Sequence, residues 1–446
     1  MTLWGKARIS PIRMIAAGFA AVILLGTMLM TLPAAGRDGV ALPFGDALFT
    51  AASAACVTGL VVYDTYTRFS LFGQLVILCL VQIGGLGFMT VGSLFLMMAR
   101  KRIGLAERGA LTESVSAFQI GGIVRLVRRV IRLTAILEGA GAALLAVRFC
   151  PRLGVAEGLY FALFHSVSAF CNAGFDLMGR FAPYASLIPY QRDVLVNLTI
   201  MSLTVMGGLG FVVWDDLLER RPRFAAYRLH TKLVLVSTAA LVAVGAALFG
   251  IFERGNTLAG MGFADALLTS LFQSVSLRTA GFATVDMGSL SEGGTVLCML
   301  LMMVGASPGS AGGGVKTTTV MVILLATFSY VRGDGDVSVF GRRLEGSVVR
   351  RAYCVATIYA ALTVVGVFLL LAAQGLSVRD AALEALSAIS TAGLATGVTR
   401  GLNTLSRAII VLLMYCGRVG SLTLVMAVMT DRKPRMRNPE EKIIIG

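Results

Sequence analysis

Four short corners in this 446-residue chain share one design. Val57-Thr58-Gly59, Asn172-Ala173-Gly174, Thr279-Ala280-Gly281 and Thr391-Ala392-Gly393 each close a run rich in serine and alanine. Their glycines lie 115, 107 and 112 residues apart, and a recurrence of that length means four copies of one unit. The chemistry open to such corners is the dehydration of a cation. An ion leaving water needs replacement oxygens, and four repeats about one axis can supply them from backbone carbonyls. Aiming successive carbonyls inward needs backbone angles that glycine adopts cheaply. The pattern predicts a selectivity filter, with a cation at the carbonyls of Thr58, Asn172, Thr279 and Thr391.

The elements that would position these corners are also legible. Asp46, Glu157, Asp265 and Asp380 stand 13, 17, 16 and 13 residues before the four glycines. A carboxylate favours the positive end of a helix, so each acid is expected to open a short pore helix. That length gives roughly 20 Å of helix, short of a bilayer core of about 30 Å. Such a helix enters the membrane and stops midway, where irregular backbone must line water or be buried in protein. Its partly negative C-terminus then points at the cation.

After each corner comes a second long apolar segment with a glycine break: "QIGGLGF" (82–88), "MGGLGF" (206–211), "GASPGSAGGGVKTTT" (305–319) and "GRVG" (417–420). The third, spanning 291–330, would measure about 60 Å as one helix, twice the core thickness. Its "SPGSAGGG" holds one proline and four glycines in eight residues, so the helix breaks there. The expectation is an intramembrane gating loop over 305–316. Its residues are Gly305, Ser307, Pro308, Gly309, Gly312, Gly313, Gly314 and Lys316, with Arg418 at the matching depth in the fourth repeat. A charge at that depth costs at least a few kcal/mol, so it normally faces a cavity. Arg418 is read as an electrostatic barrier below the filter, against the alternative that it snorkels to an interface.

Composition sets the class. With 57% hydrophobic and 14% charged residues, a soluble domain could not cover its apolar surface. Segments 14–32 and 409–429 are long enough to span a bilayer. The net charge of +15 does not mark a nucleic-acid binder: segments 1–13, 99–132, 218–232, 331–351 and 431–446 hold 26 of the 39 Lys and Arg, which places them in the cytoplasm. The chain is an all-α polytopic membrane protein of four helix–pore-helix–helix repeats around a pseudo-fourfold central pore. A cytoplasmic N-terminus (1–13) precedes repeat 1 (14–98) and a linker (99–124). Repeat 2 (125–218) and a linker (219–227) lead to repeat 3 (228–330), which carries the gating loop. A linker (331–345), repeat 4 (346–430) and a cytoplasmic tail (431–446) complete it. The seven cysteines lie singly and read as free, buried thiols, and two histidines are too few for a histidine–cysteine metal site.

Other chemistries fit poorly. "GASPG" (305–309) matches the nucleophile elbow around Ser307, but that motif needs a preceding strand, and His165 and His230 fall in a pore helix and a cytosolic segment. An intramembrane serine hydrolase is thus a remote alternative, and the chain reads as no enzyme. "GSAGGGVKT" (309–317) nearly matches a phosphate-binding loop, but a valine separates Gly314 from Lys316. An ion-coupled secondary symporter with the same broken helices stays open, with Glu138 as the main intramembrane carboxylate.

The four units, with "SVSLRTAGFATVD", "GASPGSAGGGVKTTT" and the tail "NPEEKIIIG", resemble the Trk/Ktr/HKT superfamily of potassium transporters, the pore subunit of the Ktr branch above all. The resemblance covers nearly the whole chain. It implies potassium uptake across the bacterial plasma membrane through a carbonyl-lined filter, with potassium as cargo, sodium dependence in some members and no organic cofactor. Some plant relatives replace the first filter glycine with serine; all four are present here, which favours potassium. The resemblance further implies a homodimer of pore subunits on a cytosolic ring of regulatory subunits that bind adenine nucleotides. It assigns gating to the broken loop and the arginine. The basic cytosolic segments suit that partner or anionic membrane lipids equally.

Overall fold

The computed structural model describes residues 11–87, 90, 123–220 and 223–420. The expected linker 99–124 lies outside these except for its last two residues, and the tail 431–446 lies wholly outside.

Each repeat opens with a long apolar helix: α1 (Pro11–Met30), then, further along the chain, Ile123–Leu153, Leu229–Glu253 and Gly346–Ala373. These four are long and apolar enough to cross a membrane. Repeat 1 continues with the pore helix α2 (Phe44–Ala55), the single turn α3 (Thr65–Arg68) and α4 (Leu71–Leu86). Repeat 2 has α5 (Ile123–Leu153), the pore helix α6 (Val155–Phe170), α7 (Val194–Gly208) and α8 (Phe211–Arg220). Repeat 3 has α9 (Leu229–Glu253), the pore helix α10 (Phe263–Ser276), α11 (Glu292–Met303) and α12 (Thr317–Arg332). A two-stranded hairpin, β1 (Ser338–Val339) with β2 (Arg342–Arg343), links it to repeat 4, which has α13 (Gly346–Ala373), the pore helix α14 (Val378–Ser390) and α15 (Thr404–Val419).

The pore helices have 12, 16, 14 and 13 residues, or roughly 18–24 Å, and they stop inside the protein. Their acids lie in the first turn, as expected. Asp46, Glu157, Asp265 and Asp380 each occupy the third helical position, where a carboxylate still meets the helix dipole. Three of them also reach back to the preceding repeat. Asp46 pairs with Arg407 of repeat 4 and accepts from Tyr63 (2.7 Å); Glu157 accepts from Tyr66 of repeat 1 (3.1 Å); Asp265 faces Arg192 of repeat 2 (3.4 Å). Asp380 instead completes a reciprocal cap with Ser377 and accepts from Thr396. Tyr63 lies in the loop beyond its filter corner, and its phenol is pushed up first by that bond to Asp46 and then by burial.

The second helices each break at their glycines, as the sequence suggests. α4 ends at Gly87, α7 turns through 95° into α8, α11 and α12 are separated by the loop 304–316, and α15 ends at Gly420. Gly87, Gly210, Gly314 and Gly420 all take positive φ there (81°, 95°, 72° and 95°), a conformation costly for other residues. The second helix of each repeat packs on the pore helix of the next: α4 on α6, α7 on α10, α11 on α14, and α15 back on α2. That cycle is the pseudo-fourfold architecture. The core lies along it, and alanines at 51, 52, 54 and 55 in α2 are fully buried, which lets backbones approach closely. All described cysteines are free; Cys56, Cys171 and Cys298 are buried as expected, whereas Cys79 and Cys354 are exposed.

Candidate ion filter and gate

The four corners come together at the ends of the pore helices. In each, the backbone alternates. Val57, Asn172, Thr279 and Thr391 take left-handed φ (57°, 58°, 72° and 53°), and two residues on the glycines do so again (92°, 68°, 80° and 78°). The glycine requirement was readable from sequence. The left-handed state of the residue two before it was not read: Asn172 favours that state, whereas Val57, Thr279 and Thr391 pay roughly 1–2 kcal/mol for it.

The ring closes through contacts between repeats. A Cβ on Gly59 would stand 2.5 Å from the Ala173 carbonyl oxygen; on Gly174, 2.9 Å from that of Ala280; on Gly281, 3.0 Å from that of Ala392. On Gly393 it would be nearer again to the Thr58 oxygen. The carbonyls that meet the glycines are therefore those of Thr58, Ala173, Ala280 and Ala392. The expected set of Thr58, Asn172, Thr279 and Thr391 mixes two registers, since the backbone state of Asn172, Thr279 and Thr391 is matched in repeat 1 by Val57.

Serines hold this strained backbone, and the sequence reading overlooked them. The N–H of Thr58, Ala173, Ala280 and Ala392 donates to the carbonyl of Ser53, Ser168, Ser276 and Ser387, at 2.8 Å in every repeat. The Ser53 hydroxyl accepts from Gly59 N–H (3.1 Å), Ser168 donates to the Phe175 carbonyl (2.7 Å), and Ser276 donates to that of Phe282. The signal was the serine five or six residues before each filter glycine. Arg278, next to Thr279, is also buried and was not singled out.

Outside the ring, a cavity of about 250 Å³ is lined by all four glycines together with Asp64, Asp176 and Asp286. On the other side a second cavity of about 250 Å³ is lined by the loop from Gly309 to Lys316, with Phe19, Arg351, Tyr359 and Arg418. The filter corners thus separate two chambers.

The loop 304–316 is built as a tight hairpin. Gly305 N–H donates to Val315 (2.9 Å), Ala306 N–H to Gly313 (3.2 Å), and the Ser307 and Thr317 hydroxyls meet at 3.0 Å. Repeat 2 holds it from the side: Ser307 N–H donates to Gly208, Ala311 N–H to Gly207, and Phe211 N–H to Gly309. Pro308 turns its carbonyl to Gly210, where a Cβ would stand 2.5 Å away. The tip lies directly under the filter, with Gly312 against the Thr279 hydroxyl and Gly313 against that of Thr391, leaving no space for a Cβ at either glycine. Lys316 Nζ donates to the Gly312 carbonyl at 2.7 Å, clipping the hairpin.

Arg418 does not extend toward an interface. Its guanidinium donates to the carbonyl of Ala311 in the loop and to those of Gly84 and, at 3.3 Å, Gly85 at the break of α4. One side chain of repeat 4 thereby joins repeat 3 to repeat 1. No sequence signal named those partners. Ser307 is no nucleophile here: His165 bonds Phe161 and Leu177 instead, behind the second filter corner. Among the described residues there is no cluster of His, Cys, Asp or Glu able to hold a metal ion.

Comparison with known proteins agrees with this geometry. The family described as TrkH, cation transport protein, matches residues 12–434. The potassium/sodium uptake protein NtpJ of Enterococcus hirae is 38% identical, over 99% of this chain and 98% of that protein. The Ktr system potassium uptake protein B of Bacillus subtilis is also 38% identical, over 98% and 97%. The crystal structure of the potassium transporter TrkH from Vibrio parahaemolyticus superposes with a TM-score of 0.74 at 18% identity, covering 96% of this chain and 86% of that one, which establishes the common fold.

Proposed function

Because the chain belongs to the TrkH family of cation transport proteins, we propose that its potassium uptake runs through the ring of Gly59, Gly174, Gly281 and Gly393. The protein is a multi-pass membrane transporter for potassium and not an enzyme. The observation that carries the filter reading is the cyclic contact of each corner with the next, between two separate chambers. Potassium sheds water against the carbonyls of Thr58, Ala173, Ala280 and Ala392, while the negative ends of four pore helices face it.

The loop from Gly305 to Lys316 is the gate. Its tip occupies the path just below the filter, and Arg418 latches it there. A gate needs two states within a few kcal/mol and a partner that binds them unequally. A cytosolic ring of adenine-nucleotide-binding subunits, carrying a homodimer of this chain in a bacterial plasma membrane with both termini in the cytoplasm, would supply that difference. The basic segments give such a ring, or anionic lipid headgroups, a surface to dock on.

Sodium dependence is a second reading, favoured by one observation: Glu138 of α5 is buried at membrane depth and accepts from Gln82 at 3.2 Å. Purified protein in liposomes separates the two. Potassium flux down its own gradient with sodium absent supports a channel-like pore. Flux that appears only with sodium supports coupling, and no potassium flux in either condition removes the filter reading.

A further inference from the structure

We propose that Glu384 is a positioning residue for ion selectivity, holding the fourth filter corner in register through Thr399. This rests on the filter reading above. In three repeats the pore-helix serine fastens the filter strand twice, by its carbonyl and by its hydroxyl. In the fourth, Ser387 offers only its carbonyl; its hydroxyl is fully buried and has no hydrogen-bond partner among the described residues. The second fastening has moved. Glu384 lies three residues earlier on α14, on the same face as Ser387. It is 0% exposed, and its Oε1 accepts from the Thr399 hydroxyl at 2.8 Å. The Thr399 backbone N–H faces the same carboxyl group. Its Oε2 has no hydrogen-bond partner, and among the described residues no Lys or Arg forms an ion pair with it.

A buried carboxyl group without a cation is costly, and a scaffold would do as well with an apolar side chain. Its position indicates its use. Thr399 lines the outer chamber six residues beyond Gly393, so the strand between them is pinned at one end by Ser387–Ala392 and at the other by Glu384–Thr399. The repeat across the axis does the same with different chemistry. His165 stands nine residues before Gly174, as Glu384 stands nine before Gly393, and its Nε2 accepts from Leu177 N–H at 3.3 Å. In repeats 1 and 3 that position holds Thr50, which turns back to the Asp46 carbonyl, and Phe272. The ring is thus held by polar straps on one diagonal, Glu384 opposite His165.

The test is potassium and sodium flux into liposomes containing the full-length protein, with apparent KM and maximal rate measured for each ion. Glu384→Ala is expected to lower the potassium-to-sodium ratio about tenfold, and to raise the potassium KM, because one of four oxygen-bearing corners is released. Thr399→Val, an external loop change that leaves α14 intact, is expected to lower the ratio about threefold, since the backbone N–H remains. The double variant should be no worse than Glu384→Ala, as for two residues acting through one bond. Glu384→Gln should keep the ratio within about twofold, because its amide oxygen still accepts from Thr399. The proposal is overturned if Glu384→Ala lowers the amount of protein or the maximal rate for both ions equally. Additive effects of the two substitutions, or a Glu384→Gln ratio as low as that of Glu384→Ala, would overturn it too. Absence of potassium flux in the wild type would strike the filter reading itself, a result distinct from wild-type flux with unaltered variants.

Discussion

Substituting Gly281 with serine tests the filter at its least crowded corner. At φ of 80° a residue with a Cβ loses roughly 1–2 kcal/mol. The added Cβ would stand 2.9 Å from Gly174 Cα and 3.0 Å from the Ala392 oxygen, well inside ordinary contact. Overpacking of that kind adds about 1–3 kcal/mol. The total of about 2–5 kcal/mol is below the usual stability of a folded chain, so the protein is expected to insert and assemble. The strain is relieved by moving the neighbouring corners apart, which displaces the Ala392 carbonyl. If that costs potassium only about 1.4 kcal/mol relative to sodium, the flux ratio falls tenfold. The assay is paired potassium and sodium uptake in a potassium-uptake-deficient bacterium, normalised to protein in the membrane, and repeated in liposomes. The four glycines should rank by clearance, with Gly281→Ser mildest and Gly393→Ser most severe. An unchanged ratio for Gly281→Ser at equal membrane abundance would falsify the assignment of Gly281 to the filter.

Arg418→Ala should raise potassium flux through the pore alone. It removes hydrogen bonds to Ala311, Gly84 and Gly85 worth roughly 1.5–3 kcal/mol each; flux equal to wild type, alone and with a partner, would leave Arg418 without a part in the gate. Deleting Gly309–Gly314 should likewise raise flux and weaken any control by nucleotide. A fall in flux from a deletion that still assembles would mean that the loop supports the filter. Gly207→Ala should lower the thermal midpoint in detergent by several degrees, because its Cβ would enter the Phe170 carbonyl; Gly139→Ala, mid-helix with no described residue within 4 Å of the added Cβ, should not. Equal midpoints for the two would show that the second helix does not bear on the end of the pore helix.

Much of this architecture was written in local pattern. The recurring glycines, the acids ahead of them and the excess glycine at 305–314 each express a backbone requirement that one residue type meets best. That is why they could be read one segment at a time. What escaped reading depends on partners remote in the chain. Val57 gives no hint of left-handed backbone, which the bond from Thr58 N–H to Ser53 supports, whereas Asn172 is of a type that favours it. Which carbonyl meets which glycine was not legible, because only the neighbouring repeat reveals it. The acids were legible at the helix starts, but their partners Arg407, Tyr66 and Arg192 in the preceding repeats were not. Arg418 was legible as a charge at depth, but its three carbonyl partners belong to breaks in two other repeats.

The cyclic order of the corners has a consequence for biogenesis. Each corner leans on the next one made, except the last, where Gly393 closes on Thr58 from near the start of the chain. During synthesis the first three corners therefore enter the bilayer as an open arc that encloses no ion path. The corner after α14 closes the arc into a ring, and the next helix, α15, brings Arg418 to the loop 304–316. Closure of the ring and the arrival of Arg418 are thus successive steps, one helix apart. A chain that stops before α14 would lack the fourth corner, and one that stops before Arg418 would have the ring without its tie to the loop.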